Sequence, residues 1–296
     1  MAPSASVLRP APPVVPRQSS PARDFLRRIR RSWGARLGFT ILVVLIFCAL
    51  AAPLLAPFDP SNLGPDTLSA PSPAHFFGTD FGGRDIFSRV LFGARLSLLV
   101  GLVAVSIAAV IGVTTGLIAG FYGSRTDMLL MRTIDVMLAF PGILLALALV
   151  SMLGPGLFNL MVAVGISAIP SYARLTRGSV LSAREELYVE AAQSIGVPNR
   201  RIMLLHILPN IFAPILVAAT LGIGTAMLAA AALSFIGLGD QPSTPEWGRM
   251  LSEGRQYLRD QAWIATFPGV AIMLSVLAMN LLGDGLRDAL DPRLKT

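Results

Sequence analysis

Six long apolar runs separated by polar segments dominate the chain, covering roughly residues 37–57, 96–120, 128–152, 157–176, 210–236 and 263–283. At about 1.5 Å of rise per residue, each is long enough to carry a helix across a hydrocarbon layer about 30 Å thick. The pattern predicts an all-α, polytopic membrane protein with six transmembrane helices, and the even count puts both termini on one side. Two runs contain helix breakers. Pro141 with Gly142 interrupts the third and Pro170 the fourth, and each frees backbone groups that neighbouring helices or a water-filled path must satisfy. The fifth run is rich in small residues, including Gly222, Gly224 and Ala229 to Ala232. Such residues suit close helix packing or, alternatively, the lining of a pathway.

The polar segment between the fourth and fifth runs has helical signals of its own. Ser182 followed three residues later by Glu185 forms a capping box, so a helix is expected from about Ala183. Gly196 suits the left-handed position that ends such a helix, Pro198 can open a second, and Pro209 stops that second helix before the next apolar run. On the first helix Tyr188, Ala191, Ala192 and Ile195 share one face, with Glu186, Glu190 and Gln193 opposite. Capping and periodicity alone describe an amphipathic hairpin, lying on a membrane surface or presented to a partner.

Composition agrees with a membrane protein: 54% of residues are hydrophobic and only 14% charged. The formal net charge of +7 does not require nucleic acid, because the charge is distributed as the positive-inside rule demands. Counting Arg125 and Arg132 at the start of the third run, eighteen of the 24 basic residues fall in the two tails, the second-to-third connection and the 174–209 segment. Acidic residues divide nine against eight. Both termini and the 174–209 segment are therefore expected in the cytoplasm, and segments 58–95 and 237–262 outside.

Pro10, Pro12, Pro13 and Pro16 among Ser and Arg predict a disordered start, and Arg27, Arg28, Arg30 and Arg31 then meet anionic headgroups. A basic region, an apolar run and the stretch Ala49–Ala51 are also the ingredients of a cleavable signal peptide, which an intact mature N-terminus excludes. The single Cys48 allows no intrachain disulfide.

Chemistry-bearing residues are few. Lys295 is the only lysine, so no phosphate-binding loop of the Gly-Lys-Ser/Thr kind can be built. The only histidines, His75 and His206, fall on opposite faces of the membrane, which leaves no nucleophile–histidine pair and no catalytic residue. His75, Asp80 and Asp85 match no standard metal-ligand spacing, and turn-capping by the carboxylates is the reading taken, with no metal. Arg132 and Asp135, three apart in the third run, form a candidate gating ion pair. Trp247, after Gly237, Gly239, Pro242 and Pro245, is expected at the membrane interface.

Glu190, Ala191 and Ala192, then Gly196, then His206 with Ile207, Leu208 and Pro209, resemble the EAA loop of ABC importer permeases, and the histidine and Asn210 resemble its peptide branch. The segment with Gly78, Asp80, Gly83, Arg84 and Asp85 is similar to the signature before the core of C-type subunits in the dipeptide, oligopeptide and nickel group. The ending from Gly283 onward is similar as well. The resemblance implies a type I ABC importer permease fold. Its parts would be a disordered basic cytoplasmic tail (1–36), a first transmembrane helix (37–57), an extracytoplasmic loop with an interfacial helix (58–95), a core domain (96–283) with a coupling loop at 182–210, and a cytoplasmic tail (284–296). It further implies import of di- or oligopeptides by alternating access in a bacterial or archaeal plasma membrane. The implied partners are a homologous B-type permease in a heterodimer, two cytoplasmic ABC ATPase subunits, an extracytoplasmic solute-binding protein and membrane lipid. ATP and Mg would be used by the ATPases and no cofactor bound here. Nickel or glutathione import, or an ATP-independent transporter or channel, are the alternatives.

Overall fold

The structure, a computed structural model, describes residues 32–239 and 243–290. The expectations for the N-terminal tail up to residue 31, for Pro242 and for the last six residues lie outside the described residues.

The described residues form helices, with one isolated bridge between Thr79 and Asp85. In chain order these are α1 (Trp33–Leu55), α2 (Ile86–Tyr122), α3 (Ser124–Leu138), α4 (Gly142–Leu153), α5 (Leu157–Arg184), α6 (Leu187–Ser194), α7 (Asn199–Arg201, widening through Ile202–Ile207), α8 (Phe212–Leu233, widening through Ser234–Leu238), α9 (Trp247–Gly254) and α10 (Trp263–Leu290). Five are long and apolar enough to cross a membrane: α1, α2, α5, α8 and α10. The sixth candidate span is the pair α3 and α4 taken together, bent by 87°.

That bend corrects the expectation of one helix over 128–152. Pro141 has no N–H, and its ring disfavours a helical conformation at Phe140, so the ladder stops at Leu138 and restarts on the Pro141 carbonyl, which accepts from Leu144 and Leu145. Pro170, in contrast, is buried inside α5 and the helix continues through it. The edges of other runs shift too. The expected interfacial helix is the first part of α2, one 37-residue helix capped by Asp85, whose carboxylate accepts from the Ser88 N–H at 2.8 Å. The first helix starts at Trp33, inside the expected tail, with Ser32 as its cap, and α10 runs on to Leu290.

The central packing unit is α2 against α5. Gly112, Gly116 and Gly120 put a flat strip on α2, and Tyr172, Ala173 with Thr176, and Val180 of α5 lie directly over it. A Cβ at any of the three would strike the neighbouring helix. Small residues at intervals of four allow this close approach. Around the pair, α4 packs through Ala146 and Val150 onto Leu160 and Val164, while α8 and α10 close the far side. Two cavities remain. One, about 420 Å³, lies among α2, α4, α5 and α8, where Ser167, Ser171, Tyr172 and Thr225 stand among small residues. The other is an apolar groove of about 910 Å³ bordered by α4, α8 and α10.

Candidate functional site

One end of the bundle carries a compact hairpin built from α6 and α7. Its first helix does not begin where the capping box suggests. Ser182 lies within α5, its hydroxyl donating to the Gly178 carbonyl at 3.3 Å, because α5 stays helical while Val180 and Ala183 are buried. The chain turns at Glu185, and α6 starts at Leu187 with Glu186 as its extended first cap and Glu190 in its first turn, where a carboxylate suits the positive end of the helix.

The end of α6 is a complete two-bond stop. Gly196 N–H donates to the Gln193 carbonyl at 2.9 Å and Val197 N–H to the Ala192 carbonyl at 3.1 Å, with Gly196 at φ +75°. This six-to-one and five-to-two pairing needs a left-handed residue at Gly196, as the sequence suggested. Pro198 then caps α7, its carbonyl accepting from Arg201 at 2.8 Å and Ile202 at 3.1 Å. The last turn is wide: Leu208 N–H reaches back five residues to the Met203 carbonyl at 2.9 Å. Beyond Pro209, which cannot donate, the Asn210 side chain donates to the His206 carbonyl at 2.6 Å. His206 Nδ1 lies 3.3 Å from the Arg201 carbonyl.

The hairpin is nailed to the bundle on one side and bare on the other. Val189, Ile202 and Ile207 are fully buried against Phe121 and Val180. Leu187 and Ile195 are 80% and 81% exposed, with Leu204, Leu205, Glu190, Ala191 and Gly196 also on the surface. Ala192 departs from its expected face: it is buried beside Val189, since its position one step round the helix from Ala191 turns it inward. Beside the hairpin, Arg184 ties the end of α5 to the end of α2 by donating to the Phe121 carbonyl at 3.1 Å.

The second expected group, from Gly78 to Asp85, lies at the other end of the bundle. Asp80 accepts from the backbone N–H of Gly82 at 2.8 Å and of Arg84 at 3.0 Å, and from the guanidinium groups of Arg84 at 2.7 Å and Arg89 at 2.6 Å. The Glu253 carboxylate on α9 faces both arginines at 3.4 and 3.3 Å. Burial pushes the Glu253 carboxyl above its ordinary value, opposed by Arg89, Arg84 and Arg249. Asp85 accepts from the Ser88 hydroxyl and stands 3.0 Å from His75 Nδ1. Asp80 and Asp85 therefore face separate partners and do not converge with His75 on one point. Gly78, at φ +75°, lets the loop pass over the Trp263 indole, and Gly83, at φ +72°, packs on Gly64.

Two expectations fail here. Trp247 is 1% exposed and donates from its indole to the Val90 carbonyl at 3.0 Å, so it is a packing residue and not a membrane-interface anchor. Arg132 does not pair with Asp135; the Asp135 carboxylate takes Arg174 of α5 at 2.7 Å. A second, two-pronged pair joins Asp127 of α3 to Arg177 of α5 at 2.5 and 2.6 Å. Arg89, Glu253, Asp127, Arg174 and Arg177 were not foreseen. The one signal for the last three was ionisable residues placed at the edges of apolar runs.

Helices of spanning length around a glycine-packed pair, with a preformed hairpin presented at one end, define a multi-pass helical membrane protein. Residues 112–296 match the family described as binding-protein-dependent transport system inner membrane component, and residues 20–71 match the N-terminal TM domain of oligopeptide transport permease C. The chain belongs to the first family, and within it to the ABC importer permeases of the C type. It is 51% identical over 278 residues to the dipeptide transport system permease protein DppC of Alkalihalophilus pseudofirmus, covering 94% of this chain and 91% of that one. It is 48% identical over 283 residues to the di/tripeptide transport system permease protein DppC of Pseudomonas aeruginosa, covering 93% of each. The glutathione transport system permease protein GsiD of Escherichia coli O157:H7 is 49% identical over 293 residues, with 98% of this chain and 97% of that one covered. In fold, the chain resembles the MetNI methionine ABC transporter in an inward-facing conformation, with a TM-score of 0.56 at 20% identity over 70% of this chain and 98% of that one.

Proposed function

We propose that this chain is one membrane-spanning half of an ATP-driven importer of short peptides. It works by alternating access, and the α6–α7 hairpin is the part through which a separate ATPase drives it. The observation that carries the reading is the hairpin itself: two helices locked to the bundle by Val189, Ile202 and Ile207 and capped at Gly196, with Leu187 and Ile195 left bare. An apolar crest held in place but uncovered is what a docking element requires. The distribution of arginines favours a cytoplasmic position for the hairpin and both termini, and an extracytoplasmic one for the Asp80 cluster. A chain without a phosphate-binding lysine loop takes its energy through a contact and itself acts as transporter, not enzyme. ATP and Mg belong to two cytoplasmic ATPase subunits, and the remaining partners are a homologous B-type permease and an extracytoplasmic solute-binding protein, in a bacterial inner membrane. Glu190, Ala191 and Gly196 form the docking surface, with Ala192, His206 and Pro209 fixing its shape.

The relatives' names divide between dipeptides, di/tripeptides and glutathione, and glutathione is itself a tripeptide, so the shared chemistry is a short peptide. The test is uptake of labelled dialanine, trialanine and glutathione by membranes containing the assembled system. Uptake is expected to stop when ATP is depleted while ion gradients are held. Persistent uptake would show an ATP-independent transporter or channel instead.

A further inference from the structure

α3 is attached to the bundle unusually lightly. Of its fifteen residues only Ile134 is buried, against Ile169 and Ala173 of α5. Its other printed tethers to α5 are the two ion pairs, Asp127 with Arg177 and Asp135 with Arg174. The carboxylates stand eight residues apart on α3 and the guanidiniums three apart on α5, and the deeper partner on one helix meets the deeper partner on the other. The rungs differ in strength. Asp127–Arg177 is two-pronged and partly buried, whereas Asp135 and Arg174 are each more than half exposed and contribute less.

Position gives these tethers a consequence. α5 is a single helix about 42 Å long, running from the 420 Å³ cavity to the edge of the hairpin. Glycine packing makes α5 one body with α2, and Arg184 ties their ends together beside α6. α3 in turn bends by 87° into α4, and Ile143 of α4 borders both cavities. A displacement at the hairpin passes along α5, and what carries α3 with it is chiefly the ion pairs, since one buried isoleucine offers little lateral grip. We infer that Asp127–Arg177, assisted by Asp135–Arg174, is the transmission link that makes the bent helix follow the hairpin, so that ATPase movement reshapes the cavity walls. These four are positioning residues, and the inference rests on the reading of the chain as an ATP-driven permease half.

The experiment uses the assembled transporter, purified through this chain and placed in lipid vesicles, with ATP hydrolysis and uptake of dialanine, trialanine and glutathione measured in parallel. Asp127→Arg and Arg177→Asp are each expected to keep hydrolysis within about two-fold of wild type and to lose uptake by about ten-fold or more. The swapped double variant is expected to recover uptake to within about three-fold, because it restores the pair with reversed charge. Asp127→Glu should retain most uptake and serves if a single reversal does not assemble. A link that is merely structural would lower hydrolysis, uptake and yield together, and that result overturns the inference, as does unchanged uptake in the single variants. Wild-type uptake that ignores ATP would defeat the underlying reading, a result read from the wild type alone.

Discussion

Gly196 sits at φ +75° with no atom within 4 Å of where a Cβ would project. The position separates two effects that a substitution usually mixes. Alanine there carries only the left-handed strain, about 1 kcal/mol, and leaves the surface nearly unchanged. Tryptophan carries similar strain but raises a bulky ring on the bare side of the hairpin. Gly196→Ala is therefore expected to transport at near wild-type rate with a small loss of thermal stability. Gly196→Trp should insert normally yet fail to retain the ATPase on co-purification and stop transport. Normal transport by the tryptophan variant would mean that the ATPase docks elsewhere. Asp80 is the opposite kind of residue: its carboxylate is buried and engaged by two backbone N–H groups and two guanidiniums, so its value lies in order at the far end of the bundle.

At the scale of elements, the glycine strip of α2 is the tightest contact, and its geometry sets the cost of change. A side chain at Gly116 would meet the Ala173 backbone and Thr176, neither of which can rotate away. Gly116→Leu should force α2 and α5 apart at a cost of about 1–3 kcal/mol or more, seen as a lower melting temperature in detergent. An unchanged melting temperature would mean that the helices separate without penalty. The spacing of Gly112, Gly116 and Gly120 was legible in the sequence, yet only the structure shows which helix it faces, because a small-residue strip does not name its partner. Gly196 and Pro198 were readable for a simpler reason: their backbone limits act within four residues. The capping box at Ser182 misled because its pattern is local, while burial of Val180 and Ala183 decides how far α5 runs. The Arg132–Asp135 reading failed in the same way. Three residues apart is a permissible pairing, but Arg174, thirty-nine residues on, holds Asp135.

For the whole molecule, the apolar runs made the membrane class and approximate number of spans readable, since crossing length is a property of each run alone. The broken third span needed the structure: Pro141 marks the break, but the 87° turn comes from how α3 and α4 each pack on α5. The hairpin also bears on the life of the protein before assembly. Leu187, Ile195 and Leu205 stay in water until a partner arrives, and exposed apolar side chains of this kind invite aggregation and cellular proteases. Made alone, the chain is expected to decay several-fold faster than when its ATPase is co-produced, as measured by pulse-chase. Leu187→Glu with Ile195→Glu should lengthen the life of the lone chain while preventing assembly, and equal decay with and without the ATPase would refute this. The crest thus doubles as a census device, marking for disposal any copy made in excess of its partners.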